Sequence, residues 1–209
     1  VKKTDSDNTS IVPYTPTGLA KVSTSIEITD KILSERVEYY INQGFEKYDL
    51  KDFEGAISDF TKAIALVPGF ANGYYYRGVS KYDLLKYEDA IEDYTKAIEI
   101  DPFFSLAFNN RGISKYDLQD YLGAIEDYTK AIEINPKFAF AFNNRGVAKF
   151  DSGEYRDAIE DYTKAIEINP AYANAYNNRG DVKKALGDQR GASVDYERYN
   201  NLRNNDTEK

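Results

Sequence analysis

The sequence predicts an all-α solenoid of five helix hairpins, and three observations carry that prediction. Gly44, Gly78, Gly112, Gly146 and Gly180 stand 34 residues apart at every step. Pro68, Pro102, Pro136 and Pro170 keep the same interval. The lines from Phe108 to Pro136 and from Phe142 to Pro170 both open FNNRG and both close AIEDYTKAIEINP. A fixed period of this length marks stacked helical repeats, in which each unit buries its apolar face only against its neighbours. The units are 37–70, 71–104, 105–138, 139–172 and 173–206, and positions 1 to 34 are counted within each.

Residues 1–28 are polar, rich in turn formers and without period, which predicts a tail or linker ahead of an array over 29–209. The triplet Asn8-Thr9-Ser10 fits a glycosylation acceptor, a pattern too short to weigh much. From Thr29 apolar residues recur at every third or fourth place, and Thr29 or Asp30 is suited to cap that helix. The first helix is therefore expected to start earlier than its copies and to cover the entrance of the array. Within each unit, helix A is expected over positions 1–14 and helix B over 17–30. Gly153 and Gly187 mark the turn between them, where a positive φ suits glycine. Proline at position 32 cannot continue helix B. Gly at 8 and Ala at 20 and 27 are small because helix axes approach closely there. Glu92, Glu126 and Glu160 each precede a lysine by four residues, a spacing that marks a solvated face. In the last unit Ser193, Tyr199 and Asn200 replace the Ile, Ala and Ile of earlier units, and Asn204 replaces the proline. That loss of apolar surface predicts a terminal cap.

Composition narrows the function. The formal net charge is −8, and residues 1–36 hold five bases and five acids, so the repeats carry all the excess acid. Such a surface repels phosphate backbones and argues against nucleic acid. No apolar run reaches the ~18–20 residues of a membrane helix. Cysteine and histidine are both absent, which removes disulfides, thiolate catalysis and the commonest general base and metal ligand. No catalytic group, metal site or cofactor is expected. The chain does not begin with Met, which points to a longer product or a removed targeting segment and leaves localisation open.

The spacing of aromatic, Gly, Ala, aromatic, Ala and Pro resembles the tetratricopeptide repeat over about 170 of 209 residues. Position 4 holds Tyr40, Tyr74, Phe108, Phe142 and Tyr176, and position 24 holds Phe60, Tyr94, Tyr128, Tyr162 and Tyr196. The resemblance implies a right-handed superhelix whose A helices line a concave groove for a peptide or partner protein. It also argues against a clamp for the C-terminal carboxylate of heat-shock chaperones. Where such a clamp has its lysine and asparagine in the first repeat stand Ile41 and Phe45, and where it has cations in the third stand Leu106 and Asn110.

On that groove face, position 6 carries Asn42, Tyr76, Asn110, Asn144 and Asn178, and position 5 carries Asn109, Asn143 and Asn177. A carboxamide donates and accepts at once and can pair with a peptide unit of an extended ligand. The alternative is that these asparagines cap or bridge neighbouring helices. Four such bonds at ~0.5–1.5 kcal/mol each fall short of the ~8 kcal/mol of micromolar binding. Tyr82, Tyr116 and Phe150, with Tyr48, occupy position 12 and either receive apolar ligand side chains or pack between A helices. Asp83 and Asp117, with Asp49 and Asp151, form an acidic row at position 13 that favours basic ligand segments if it faces the groove. Arg77, Arg111, Arg145 and Arg179 at position 7 can pair with the aspartates of position 23 within a repeat or between repeats, and counting does not choose.

The expected function is a non-enzymatic adaptor or scaffold that binds a protein or peptide. The alternative is a homo-oligomeric structural protein, associating through its aromatic ends or the Phe103-Phe104 and Phe138–Phe142 bends.

Overall fold

The computed structural model describes residues 27–207, with side chains from Leu33 to Asn204. Of the expected tail, residues 1–26, with the Asn8 triplet, lie outside the described residues, while Glu27 and Ile28 already belong to the first helix. The rest is all α. Ten helices follow one another: α1 Glu27–Asp49, α2 Phe53–Leu66, α3 Ala71–Asp83, α4 Tyr87–Ile100, α5 Ser105–Asp117, α6 Tyr121–Ile134, α7 Ala139–Asp151, α8 Tyr155–Ile168, α9 Ala173–Ala185 and α10 Gln189–Thr207. Odd-numbered helices are the A helices of the five repeats and even-numbered ones the B helices. Helix α1 begins at Glu27, so Thr29 and Asp30 fall inside it and not at its cap.

The chain forms two compact units, one ending at Asp101 with α1–α4 and one beginning at Pro102 with α5–α10. In each unit every helix packs against the next in sequence, and in the second unit α5 also meets α7 and α7 meets α9. The core follows the small–aromatic code. Tyr94, Tyr128 and Tyr162 are 1–2% exposed, and each ring lies on the glycine of its own A helix. A Cβ added at Gly112 would stand 2.7 Å from Cε1 of Tyr128. Alanines at positions 20 and 27, such as Ala124 and Ala131, are wholly buried where helix B approaches its neighbours.

Every A–B turn passes through the left-handed region at position 15. Gly153 (φ 91°) and Gly187 (φ 88°) do so as expected, but so do Lys51 (φ 61°), Leu85 (φ 60°) and Gln119 (φ 65°). The next residue stands at the N-cap of helix B. Asp52, Asp120 and Asp188 each accept from a backbone N–H three residues on, at Gly55, Gly123 and Gly191. Lys86 and Glu154 occupy that place without a side-chain bond. On the solvated face, Lys96, Lys130 and Lys164 pair with Glu99, Glu133 and Glu167 three residues ahead, and not with the glutamates four behind.

Candidate peptide-binding face

The asparagines of the second unit are drawn together, though not into open space. Asn109, Asn110, Asn143 and Asn144 are 2–8% exposed. Asn144 donates its amide to Oδ1 of Asn109 at 3.1 Å, and Asn178 donates to Oδ1 of Asn143 at 3.0 Å. Asn109 in turn donates to Oδ1 of Asn110 at 3.0 Å. Position 6 of one repeat thus bonds position 5 of the repeat before it, and the carboxamides bridge neighbouring A helices. The physical reason is the 100° step of the helix. It sets positions 5 and 6 at the border between the free face and the next A helix, and a buried carboxamide must find a partner there. The expectation of an open row gives way to the bridging alternative at those four residues. Asn177 and Asn178, on α9, remain partly exposed, and Asn42 on α1 is exposed.

Tyr76 also leaves the expected row. It is 8% exposed and packs between Phe45 and Phe60, with ring centroids at 4.6 and 5.9 Å. Its large ring is sequestered by the aromatic core of the first unit.

The position-12 rings are half-buried and lean on the first residue of their own helix B. Tyr82 meets Tyr87, Tyr116 meets Tyr121 and Phe150 meets Tyr155, each at 5.4 Å. Two hydroxyls of this row tie successive repeats: Tyr48 donates to Asp83, and Tyr116 donates to Asp151. Burial raises the carboxyl of Asp83 above the usual carboxylate range, and the bond from Tyr48 offsets this only in part. Burial and the neighbouring carboxylate both push the Tyr116 hydroxyl upward, so it stays a donor at neutral pH. Asp117 is half-buried and Asp151 is exposed at the rim of the same face.

The Arg–Asp ambiguity resolves within the repeat. Arg111 makes a two-pronged contact with Asp127 at 2.9 and 2.6 Å, and Arg145 does the same with Asp161. Each aspartate is 2–4% exposed and also receives a lysine from position 11, at 2.8 Å for Lys115 and Lys149. The arginine then reaches back: Arg145 bonds Thr129 and Arg179 bonds Thr163 of the preceding repeat, both at 3.0 Å. Its guanidinium also lies over the position-4 ring, as in Arg145 over Phe142 at 5.6 Å. Burial pushes Asp195 upward, but the bonds from Arg179 and Lys183 outweigh it and hold the carboxyl below its ordinary value. The lysine and threonine rows were not singled out from sequence, although both recur at the same 34-residue step.

Among the described residues, no cluster of acidic or other ligating side chains suits a metal ion, and no helix is long and apolar enough to cross a membrane. Family models described as tetratricopeptide repeat match residues 37–69, 71–104, 105–138 and 127–160, and one described as TPR repeat matches 148–187. The chain belongs to the tetratricopeptide repeat family. Among curated proteins none matches the chain significantly. The crystal structure of MamA protein superposes with a TM-score of 0.72 at 25% identity, over 84% of this chain and 96% of that one. Pseudomonas aeruginosa pilF gives 0.75 at 20% identity, over 81% of this chain and 78% of its own, a likeness of fold alone. The first TPR of Spaghetti (RPAP3), bound to HSP90 peptide SRMEEVD, gives 0.55 at 27% identity, over 56% of this chain and 93% of that one. In this tetratricopeptide array the positions compared above with a carboxylate clamp are engaged inside the fold. Ile41 is buried at 3% exposure, Phe45 meets Phe60 and Tyr76 edge to face, and Asn110 accepts from Asn109.

Proposed function

We propose that the protein is a non-enzymatic adaptor or assembly scaffold that holds an extended segment of a partner along the A helices of its second unit, α5, α7 and α9. The observation that carries this is the repetition of one half-open face at a fixed step. Tyr116 and Phe150 offer partly buried rings, Asp117 and Asp151 form an acidic rim, and Asn177 and Asn178 present carboxamide edges. Asn109, Asn110, Asn143 and Asn144 serve this face by holding the A helices in register. In the first unit Tyr82 and Asp83 occupy the matching positions, and Asn42 keeps an exposed carboxamide. A segment carrying lysine or arginine suits the acidic rim. The peptide-bound relative and the general role of such folds as protein-interaction scaffolds support this reading.

The test separates binding from stability. Partner capture by Asp151→Asn, which keeps an acceptor for the Tyr116 hydroxyl, and by Asn177→Ala is compared with capture by wild type, alongside a thermal melt. The expected result is weakened capture with an unchanged melt. Asn110→Ala/Asn144→Ala is expected to lower the melt itself. Capture undiminished in the first two variants would remove this face from the function.

A further inference from the structure

Three contact rules recur between successive repeats and a fourth contact is seen once, each within one unit. Position 6 donates to position 5 of the repeat before, as Asn144 to Asn109 and Asn178 to Asn143. Position 12 bonds position 13 of the repeat after, as Tyr48 to Asp83 and Tyr116 to Asp151. Position 16 pairs with position 18 of the repeat before, as Lys86 with Glu54 at 2.6 Å. Position 7 reaches position 25 of the repeat before, as Arg145 to Thr129.

Among the described residues the first hairpin has no hairpin before it, and the last has none after it. Their outward faces hold unmatched halves of these same rules. On the first hairpin, position 6 is Asn42, position 13 is Asp49 and position 16 is Asp52, all exposed. On the last hairpin, the complementary positions 5, 12 and 18 are Asn177, Lys184 and Arg190, the latter two exposed. Setting the first face on the last gives carboxamide against carboxamide, Asp49 against Lys184, and Asp52 against Arg190. Position 12 is aromatic in all four earlier repeats and a lysine only here. Position 18 is Glu54 where it meets Lys86, and Arg190 where the position-16 residue of the first hairpin is Asp52. The charges at both pairs of positions are opposite in sign across the two ends.

We propose that these two faces are a docking pair for a second copy of the chain, joining the last hairpin of one molecule to the first hairpin of the next. The contact is heterologous, so it adds molecules in series instead of closing on a single pair by its own symmetry. It is also looser than a junction inside either unit. Tyr39, 59% exposed, stands at position 3 where later repeats have Gly or Ala, and Tyr199 stands at position 27 where earlier ones have Ala. Two rings in place of two small residues hold the helices apart, and the long side chains of Lys184 and Arg190 supply the reach to close the gap. The joint is therefore polar, weak and sensitive to salt. This inference does not depend on the partner-capture reading, whose test uses other substitutions or another readout.

The experiment is sedimentation velocity of the full chain at low salt, from roughly 10 µM to 1 mM, the range in which weak contacts register. The expected result is a mean mass that rises with concentration and falls back at high salt. Lys184→Glu and Asp49→Lys, each on a different face, are each expected to weaken association by about tenfold or more through like-charge contact. The chain carrying both substitutions restores opposite signs and is expected to regain association. A monomer at every concentration would overturn the proposal. So would an oligomer unmoved by both single reversals, or a double variant no better than either single one.

Discussion

Removing the carboxylate of Asp161 is the sharpest perturbation of this architecture. Asp161 is 4% exposed and accepts from Arg145 Nε at 2.9 Å, Arg145 Nη2 at 2.6 Å and Lys149 Nζ at 2.8 Å. Asp161→Ala leaves two cations facing a site without an anion. Breaking a buried pair in this way costs about 3–5 kcal/mol. Both cations keep some access to water, with side chains 16% exposed, which places the loss near the low end, about 3 kcal/mol. Arg145→Ala removes two bonds to Asp161, the bond to Thr129 and the stacking on Phe142, but Lys149 still answers the carboxylate. Its cost is smaller, about 1.5–3 kcal/mol, the scale of hydrogen bonds to charged groups. Lys149→Ala leaves the two-pronged arginine contact intact and is the mildest of the three. Urea unfolding followed by circular dichroism at neutral pH ranks them. At ~2–4 °C per kcal/mol for a chain of this size, Asp161→Ala lowers the melting temperature by about 6–12 °C. A loss under ~1 kcal/mol, the scale of an exposed ion pair, or Arg145→Ala costing more than Asp161→Ala, would refute the account of one buried anion holding two cations.

Three further outcomes follow from contacts already described. Gly112→Ala sets a methyl 2.7 Å from the Tyr128 ring; the crowding costs about 1–3 kcal/mol against a helix gain of about 1, so a melt no lower than wild type would show that the ring gives way freely. Leu85→Gly relieves a left-handed leucine (φ 60°) that is 70% exposed. It is expected to raise stability by up to about 1 kcal/mol, after the extra freedom of glycine in the unfolded chain is subtracted; a lowered urea midpoint would contradict it. The depressed carboxyl of Asp195 contributes stability that is present above the unfolded value of about 3.9 and is lost as pH falls through the folded one. Stability should hold from neutral pH to about 5 and decline below about 4, less steeply in Asp195→Asn, as followed by urea midpoints across that range.

Much of this could be read from letters alone, and the reasons differ by residue. The hairpin boundaries were legible because Gly44 and its copies, and Pro68 and its copies, sit where only a small or a helix-ending residue fits. Gly153 and Gly187 likewise announced a left-handed turn. Lys51, Leu85 and Gln119 adopt the same backbone with nothing in their side chains to say so, because the turn is imposed by the helices on either side. The Arg–Asp pairing was illegible for a different cause: inside a repeat or between repeats the residue counts are equal, and only the crossing of helix A over helix B selects one. The asparagines were legible on the A helices, but the choice between an open row and a bridge between helices was not. A period gives the direction of a side chain about its own axis, but not how near the next axis stands, and Asn109 and Asn143 are closed in by that neighbour.

The backward reach of each arginine and each position-6 asparagine gives the second unit a simple grammar of growth. Excision of residues 139–172 would present Arg179 to Thr129 in place of Thr163, and Asn178 to Asn109 in place of Asn143. The chemistry at the new seam would be that of the old one. An insertion copying the same stretch would meet the same welcome on both sides. Whole hairpins are thus the natural currency of change for this chain, gained or shed by unequal exchange between near-identical segments, with no second substitution needed to heal the join.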